Sequence, residues 1–96
     1  MGFRKIQSCR RPEWQQEMVY LTVTHLSYMP IAVKDEAYKL IDTLTKRPDE
    51  GRALFEMLTK DITLESAWLK YGVPKGKLLK MRREFYDRFL SETIRR

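Results

Sequence analysis

Lys75, Lys77, Lys80, Arg82 and Arg83 follow one another directly after the tripeptide Gly72-Val73-Pro74. Ammonium and guanidinium groups at this spacing suit one chemistry above others, donation to the oxygens and nitrogens of a polyanion. On a helix, Lys75, Lys80 and Arg83 would face a groove floor, where Arg or Lys donates to guanine O6 and N7. Gly76, with no side chain, would let the backbone come close to a base edge, and Leu79 would either touch a thymine methyl or pack on a neighbouring helix. Lys77 and Arg82 point more to the side and are expected to meet phosphates, contacts that give affinity without sequence information. Thr63, at a helix start, is a further phosphate candidate, as are Arg10 and Arg11 near the N-terminus.

Such a surface needs a rigid frame. The sequence from Thr63 to Arg83 supplies one in the form of a helix-turn-helix, in which a bracing helix is followed by a reader helix that enters the major groove. Thr63 is a good N-cap, with Glu65 and Ser66 in the first turn. Gly72 suits the left-handed position that ends a helix. Val73 is expected to plug the space between the helices, and Pro74 to open the second helix. Ala67, Tyr71, Val73, Leu78 and Met81 fall at the spacings that lock the pair together. Trp68 departs from the pattern, which prefers a small residue four before the turn glycine. We expect Trp68 to be a core residue in a widened helix crossing. The competing reading of the whole segment is a packed helical hairpin with a solvated basic face.

The rest of the chain predicts helices. Pro12-Glu13 opens the first, with Trp14, Met18, Leu21, His25 and Tyr28 recurring on one helical face. The run from Val19 to Thr24 would also suit a strand. Pro30 stops this element. Residues 33–45 form a second helix with an apolar stripe of Ala37, Leu40, Ile41 and Leu44. Pro48-Asp49-Glu50 opens a third, with Ala53, Leu54, Met57 and Leu58 on its inner face. The last is expected from Lys75 to about Thr93. The chain thus reads as all-α, with about five helices, a C-terminal helix-turn-helix over about 63–90 and a long last helix. Residues 1–11 read as a basic flexible arm and 12–96 as a single helical domain.

The 96 residues carry a net charge of +6, and its distribution is uneven. Residues 1–12 and 63–96 are basic, while 13–62 hold more acids than bases. Basic ends around an acidic middle suit a polyanion binder with one docking face. Chemistry of other kinds finds little support. His25 is the only histidine and Cys9 the only cysteine, so no metal-ligand spacing and no nucleophile–base arrangement can be built. No enzyme, cofactor or small-molecule substrate is expected. The single cysteine favours a reducing, cytoplasmic setting, here associated with the nucleoid. No apolar run approaches the roughly 18 residues of a membrane span, and the N-terminus lacks the apolar segment of a secretory signal.

Tyr38-Lys39-Leu40-Ile41, the helix from Pro48 and residues 63–80 together resemble the small bacterial regulators of fimbrial adhesin operons, the PapB type. The resemblance rests chiefly on Glu65-Ser66-Ala67-Trp68-Leu69-Lys70-Tyr71-Gly72-Val73-Pro74-Lys75-Gly76, and Pro30 followed by the aromatic Tyr38 also fits. It spans about residues 30–85, with a small gap before Thr63. The family's histidine-containing loop is replaced by Lys46-Arg47. A plasmid or phage repressor of similar build is the other resemblance. Either implies an all-helical transcription regulator, a repressor or switch regulator, that oligomerises and binds double-stranded, AT-rich DNA. Small reader helices make few base contacts, so a homodimer on paired half-sites is expected. Trp14, Met18, Tyr20, Leu21, Leu26 and Tyr28 form one candidate dimer surface, unless they are buried as core. Phe85, Phe89 and Ile94 form the other. A protein-interaction adaptor that docks an acidic partner, and a nonspecific nucleic-acid binder, are the alternatives.

Overall fold

Each of the four prolines stands at a helix start. Proline has no N–H to leave unpaired there and its φ is already near the helical value. In the computed structural model, which describes residues 3–7 and 9–90, Pro12 precedes α1 (Glu13–Thr24) and Pro30 precedes α2 (Ile31–Leu44). Pro48 is the first residue of α3 (Pro48–Thr59), and Pro74 precedes α5 (Lys75–Arg88). The remaining helix, α4 (Leu64–Tyr71), starts at Thr63, whose Oγ1 accepts the Ser66 N–H. A single 3-10 turn, Leu26–Tyr28, joins α1 to α2. Among the described residues the fold is all-α, with five α-helices and no strand.

α3 is the centre of the fold. Ala53, Leu54, Met57 and Leu58, the stripe read from the sequence, are all buried, and α3 packs against α1, α2, α4 and α5. Val19 and Val23 enter the core from α1, Ala37 and Ile41 from α2, and Ala67 from α4. From the last helix and its end come Leu78, Met81, Phe85, Tyr86 and Phe89.

The ambiguous run 19–24 is helical. The face read from its spacing is nevertheless the outer one. Trp14, Met18 and Leu21 are exposed, whereas Gln16, Val19 and Val23 are buried. α1 carries apolar residues on both sides, so periodicity alone could not select the inward side. Gln16 is buried because it is a polar anchor. Its Oε1 accepts the Ile6 N–H at 2.8 Å and its Nε2 donates to the Arg11 carbonyl at 2.9 Å.

That anchor changes the reading of residues 1–11. The described part of this segment, expected as a flexible arm, lies on the domain. The Phe3 ring meets Tyr20 at 5.6 Å between centroids. The Asp87 carboxylate accepts both the Cys9 thiol and the Arg10 N–H, and the Arg11 guanidinium donates to the Phe89 carbonyl at 2.6 Å. Burial beside Asp87 pushes the Cys9 thiol up to about 11, so it stays protonated at neutral pH.

α5 ends at Arg88, five residues earlier than the sequence suggests. Phe89 is buried in extended conformation, and Leu90 takes a positive φ of 55° with its N–H donating to Glu36 at 2.6 Å. Packing of Phe89 therefore terminates the helix where helical spacing would continue it. Phe85 and Phe89, offered as a dimer surface, are core and stack on each other at 4.8 Å; Ile94, their expected companion, lies outside the described residues.

The turn between α4 and α5 is as expected. Gly72 has φ 70° and ψ 16°, and its N–H caps the helix on the Trp68 carbonyl at 2.8 Å. A Cβ at Gly72 would have open space around it, so the requirement is conformational. Gly72→Val is expected to cost about 1–2 kcal/mol, the usual penalty for a side chain in the left-handed region. The check is a denaturant midpoint, with Gly72→Asn retaining more of the stability because asparagine tolerates this conformation.

Candidate nucleic-acid interface

Leu78, Met81 and Phe85 turn one side of α5 into the core. The opposite side therefore presents Gly76, Leu79, Lys80, Arg83 and Asp87. Gly76 and Lys80 are exposed and Arg83 is half-exposed. Leu79 is 44% exposed. Four of the five residues read as base contacts thus share one open face.

The fifth, Lys75, sits at the start of α5. Its ammonium lies 4.8 Å from the centre of the Trp68 ring, a cation–π contact across the turn. Trp68 itself is 39% exposed and is not the core residue expected. The small residue that a close crossing needs is Ala67, one position earlier and fully buried. α4 is rotated so that alanine meets the core and tryptophan the rim. The turn is thereby kept tight, and an aromatic ring is added beside the basic face.

The candidate phosphate contacts fare differently. Lys77 is an ion-pair partner within the fold. Its ammonium donates to the Glu50 carboxylate, which is 6% exposed. Glu50 also accepts the Lys46 N–H at 2.9 Å. The Lys77 contact, followed by the Lys46 N–H, holds the Glu50 carboxyl below its ordinary range. Lys77 therefore ties α5 to the start of α3 and is withdrawn from the phosphate set. Arg82 is half-buried, and its Nε is buried without a partner. Its stem is part of the packing, contrary to a simple sideways projection. The Thr63 hydroxyl is used twice within the chain, accepting from the Ser66 N–H at 3.1 Å and donating to the Ser66 Oγ at 2.8 Å. It serves as a helix cap. Arg10 is exposed and Arg11 half-buried, and both are drawn to the far end of α5 by the contacts on Asp87 and Phe89.

α4 is braced on α3 through Glu56, which accepts the Tyr71 hydroxyl and the Lys70 ammonium, the latter at 3.0 Å. These contacts, with Tyr71 first, hold the Glu56 carboxyl below its ordinary range. The frame of the two helices is thus fixed to α3 by two carboxylates, Glu50 under α5 and Glu56 under α4. Sequence reading assigned both acids no such role. The spacing of a helix start accounts for Glu50 equally well without Lys77, and only the fold brings them together.

His25 is exposed, with Nδ1 2.9 Å from the Leu21 carbonyl. Among the described residues no group of three His, Cys, Asp or Glu side chains could hold a metal ion, and no helix is long and apolar enough to cross a membrane.

The geometry makes Gly76 a sharp probe. A Cβ there meets nothing within 4 Å, so Gly76→Ala is expected to fold normally and to gain about 0.5–1 kcal/mol of stability. If the backbone at Gly76 approaches a duplex, the same variant loses DNA affinity. Thermal unfolding and duplex titration of one sample give both readings.

Comparison with protein-family models, with curated proteins and with solved structures finds no match.

Proposed function

We propose that this protein is a sequence-selective reader of double-stranded DNA that acts as a transcription regulator, with α5 as the reader helix and α4 as its brace. The observation that supports this most is the open face of Gly76, Leu79, Lys80 and Arg83 behind a Gly72-capped turn. Lys80 and Arg83 supply donors for guanine edges, Leu79 an apolar contact for a thymine methyl, and Gly76 close backbone approach. Lys75 sits at the rim on Trp68. Regulators of fimbrial adhesin operons, or a plasmid or phage repressor of similar build, are the functional class proposed. Of the phosphate candidates, Arg82 is retained for duplex contact, while Arg10 and Arg11 line a separate cleft.

The test is titration of a labelled duplex library at several salt concentrations. A specific reader gives a steep salt slope together with discrimination between sequences. A steep slope without discrimination would mean a nonspecific binder, and no complex at low salt would favour an acidic protein partner for the basic face.

The proposal includes a homodimer through the outer side of α1. Trp14, Met18 and Leu21 are 57%, 44% and 50% exposed, and Tyr28 and Ile31 follow at 85% and 76%. Tyr20 and Leu26, read with them, are half-buried and buried. The flanking charges on α1 are Glu13 and Glu17, with no base, so this side repels a duplex. We expect Leu21→Glu to convert the dimer to monomer in sedimentation, with helix content unchanged. A wild-type chain that is monomeric at high micromolar concentration would remove this part of the proposal.

A further inference from the structure

The contacts that hold the N-terminal segment also build a cleft. One wall is residues 10–12 with Gln15, the other the C-terminal half of α5, and between them lies a volume of about 690 Å³. Arg10, Arg11, Arg83 and Arg88 line it, with Glu84 and Asp87. Arg11 is held on the Phe89 carbonyl, and Asp87 is held by the Arg10 N–H and the Cys9 thiol. The side chains of Arg10, Arg83 and Arg88 have no ion pair with any carboxylate among the described residues. Three guanidinium groups facing one concavity, with no ion-pair partner among the described residues, repel one another, and the two carboxylates of the lining leave room for an anion to offset that repulsion. Guanidinium forks match phosphate oxygens two at a time.

We infer that this cleft binds a small phosphorylated molecule that also carries hydroxyl or amino donors, of nucleotide or sugar-phosphate kind. The size falls within the roughly 300–1,000 Å³ of small-molecule sites. The mixed lining argues for such a ligand over the phosphates of a duplex. The carboxylates of Glu84 and Asp87 repel a continuous phosphate chain but accept from sugar hydroxyls or base amines. Arg83 belongs both to this cleft and to the outer face of α5. A ligand that engages Arg83 weakens any duplex contact made by the same guanidinium, and linkage requires the duplex to weaken the ligand by the same factor. That coupling rests on the DNA reading; the cleft itself does not.

The experiment is calorimetric titration of the DNA-free protein with ATP, ribose 5-phosphate and pyrophosphate, each probe separately. Expected is saturable one-site binding of ATP or ribose 5-phosphate, weakened at least tenfold in Arg88→Ala and in Arg10→Ala and unchanged in Lys39→Ala, which removes an exposed cation on α2 outside the cleft. Among the described residues neither the Arg10 nor the Arg88 side chain has an ion-pair partner to lose, and unfolding midpoints equal to the wild type check that the variants fold. The inference is overturned by the absence of binding of all three probes at millimolar concentration. It is equally overturned if Lys39→Ala weakens binding as much as Arg88→Ala, which would indicate diffuse charge attraction. A third overturning outcome is that only duplex affinity, and no probe, responds to Arg10→Ala and Arg88→Ala, which would give the cleft to DNA phosphates. Because the titration contains no DNA, its failure leaves the DNA reading standing, and failure of the DNA reading leaves the titration interpretable.

Discussion

Replacing Lys80 and Arg83 together with alanine is expected to lower affinity for the preferred duplex about a hundredfold or more while lowering affinity for random duplex far less. The magnitude follows from about 1–3 kcal/mol of discrimination for each good pairing of a cationic side chain with a base edge. The asymmetry follows from position. Both residues stand on the side of α5 opposite Leu78, Met81 and Phe85, and neither has an ion pair among the described residues. Truncating them removes no contact that holds the fold, so the unfolding midpoint should stay close to that of the wild type. Parallel titrations of the selected site and of scrambled duplex measure the effect. Equal losses on both would make the two side chains phosphate contacts, and a fallen unfolding midpoint would make them structural.

Lys77→Ala is expected to do the reverse. It removes the ammonium that pairs with Glu50, a carboxylate that is 6% exposed. Leaving a buried charge without its partner costs about 2 kcal/mol, less than in a fully buried pair because the lysine end is 45% exposed. The Lys46 N–H remains on the carboxylate and limits the loss. A dependence on pH accompanies it. Glu50 has a lower pKa in the folded chain than it has unfolded. The stability it contributes is therefore complete above the ordinary carboxylate range and is lost as pH falls through the folded value. In Lys77→Ala the main cause of the depression is gone, so this acid-side loss shrinks. Denaturant titrations of wild type and variant across the acid range read both effects. A variant with unchanged stability and weakened duplex binding would return Lys77 to the phosphate contacts.

The contrast between Lys77 and Lys80 shows what the sequence can carry. Both are lysines on a basic helix, and nothing local separates them. The difference is made by Glu50, 27 positions away, which reaches α5 only because α3 lies beneath it. Features set by the backbone itself were legible. Gly72 had to end a helix, Thr63 had to cap one, and the inner stripes of α2 and α3 were sharp enough to orient them. α1 offered two apolar sides, and the choice between them depended on Gln16 meeting Ile6 and Arg11. The N-terminal segment had no periodicity of its own, so its attachment to Asp87 and Phe89 was invisible. Trp68 was legible as a departure but not in its consequence. Ala67 takes the crossing, and the ring goes to the surface under Lys75.

The outer face of α5 is expected to read base pairs. Selection of bound sites from random duplexes, followed by sequencing, addresses this most directly. We expect enrichment of a short motif present twice with two-fold symmetry, and loss of that motif when selection is repeated with Lys80→Ala and Arg83→Ala combined. Recovery of unenriched sequence from a protein that still retains duplex at low salt would contradict the account, as would an identical motif from the variant.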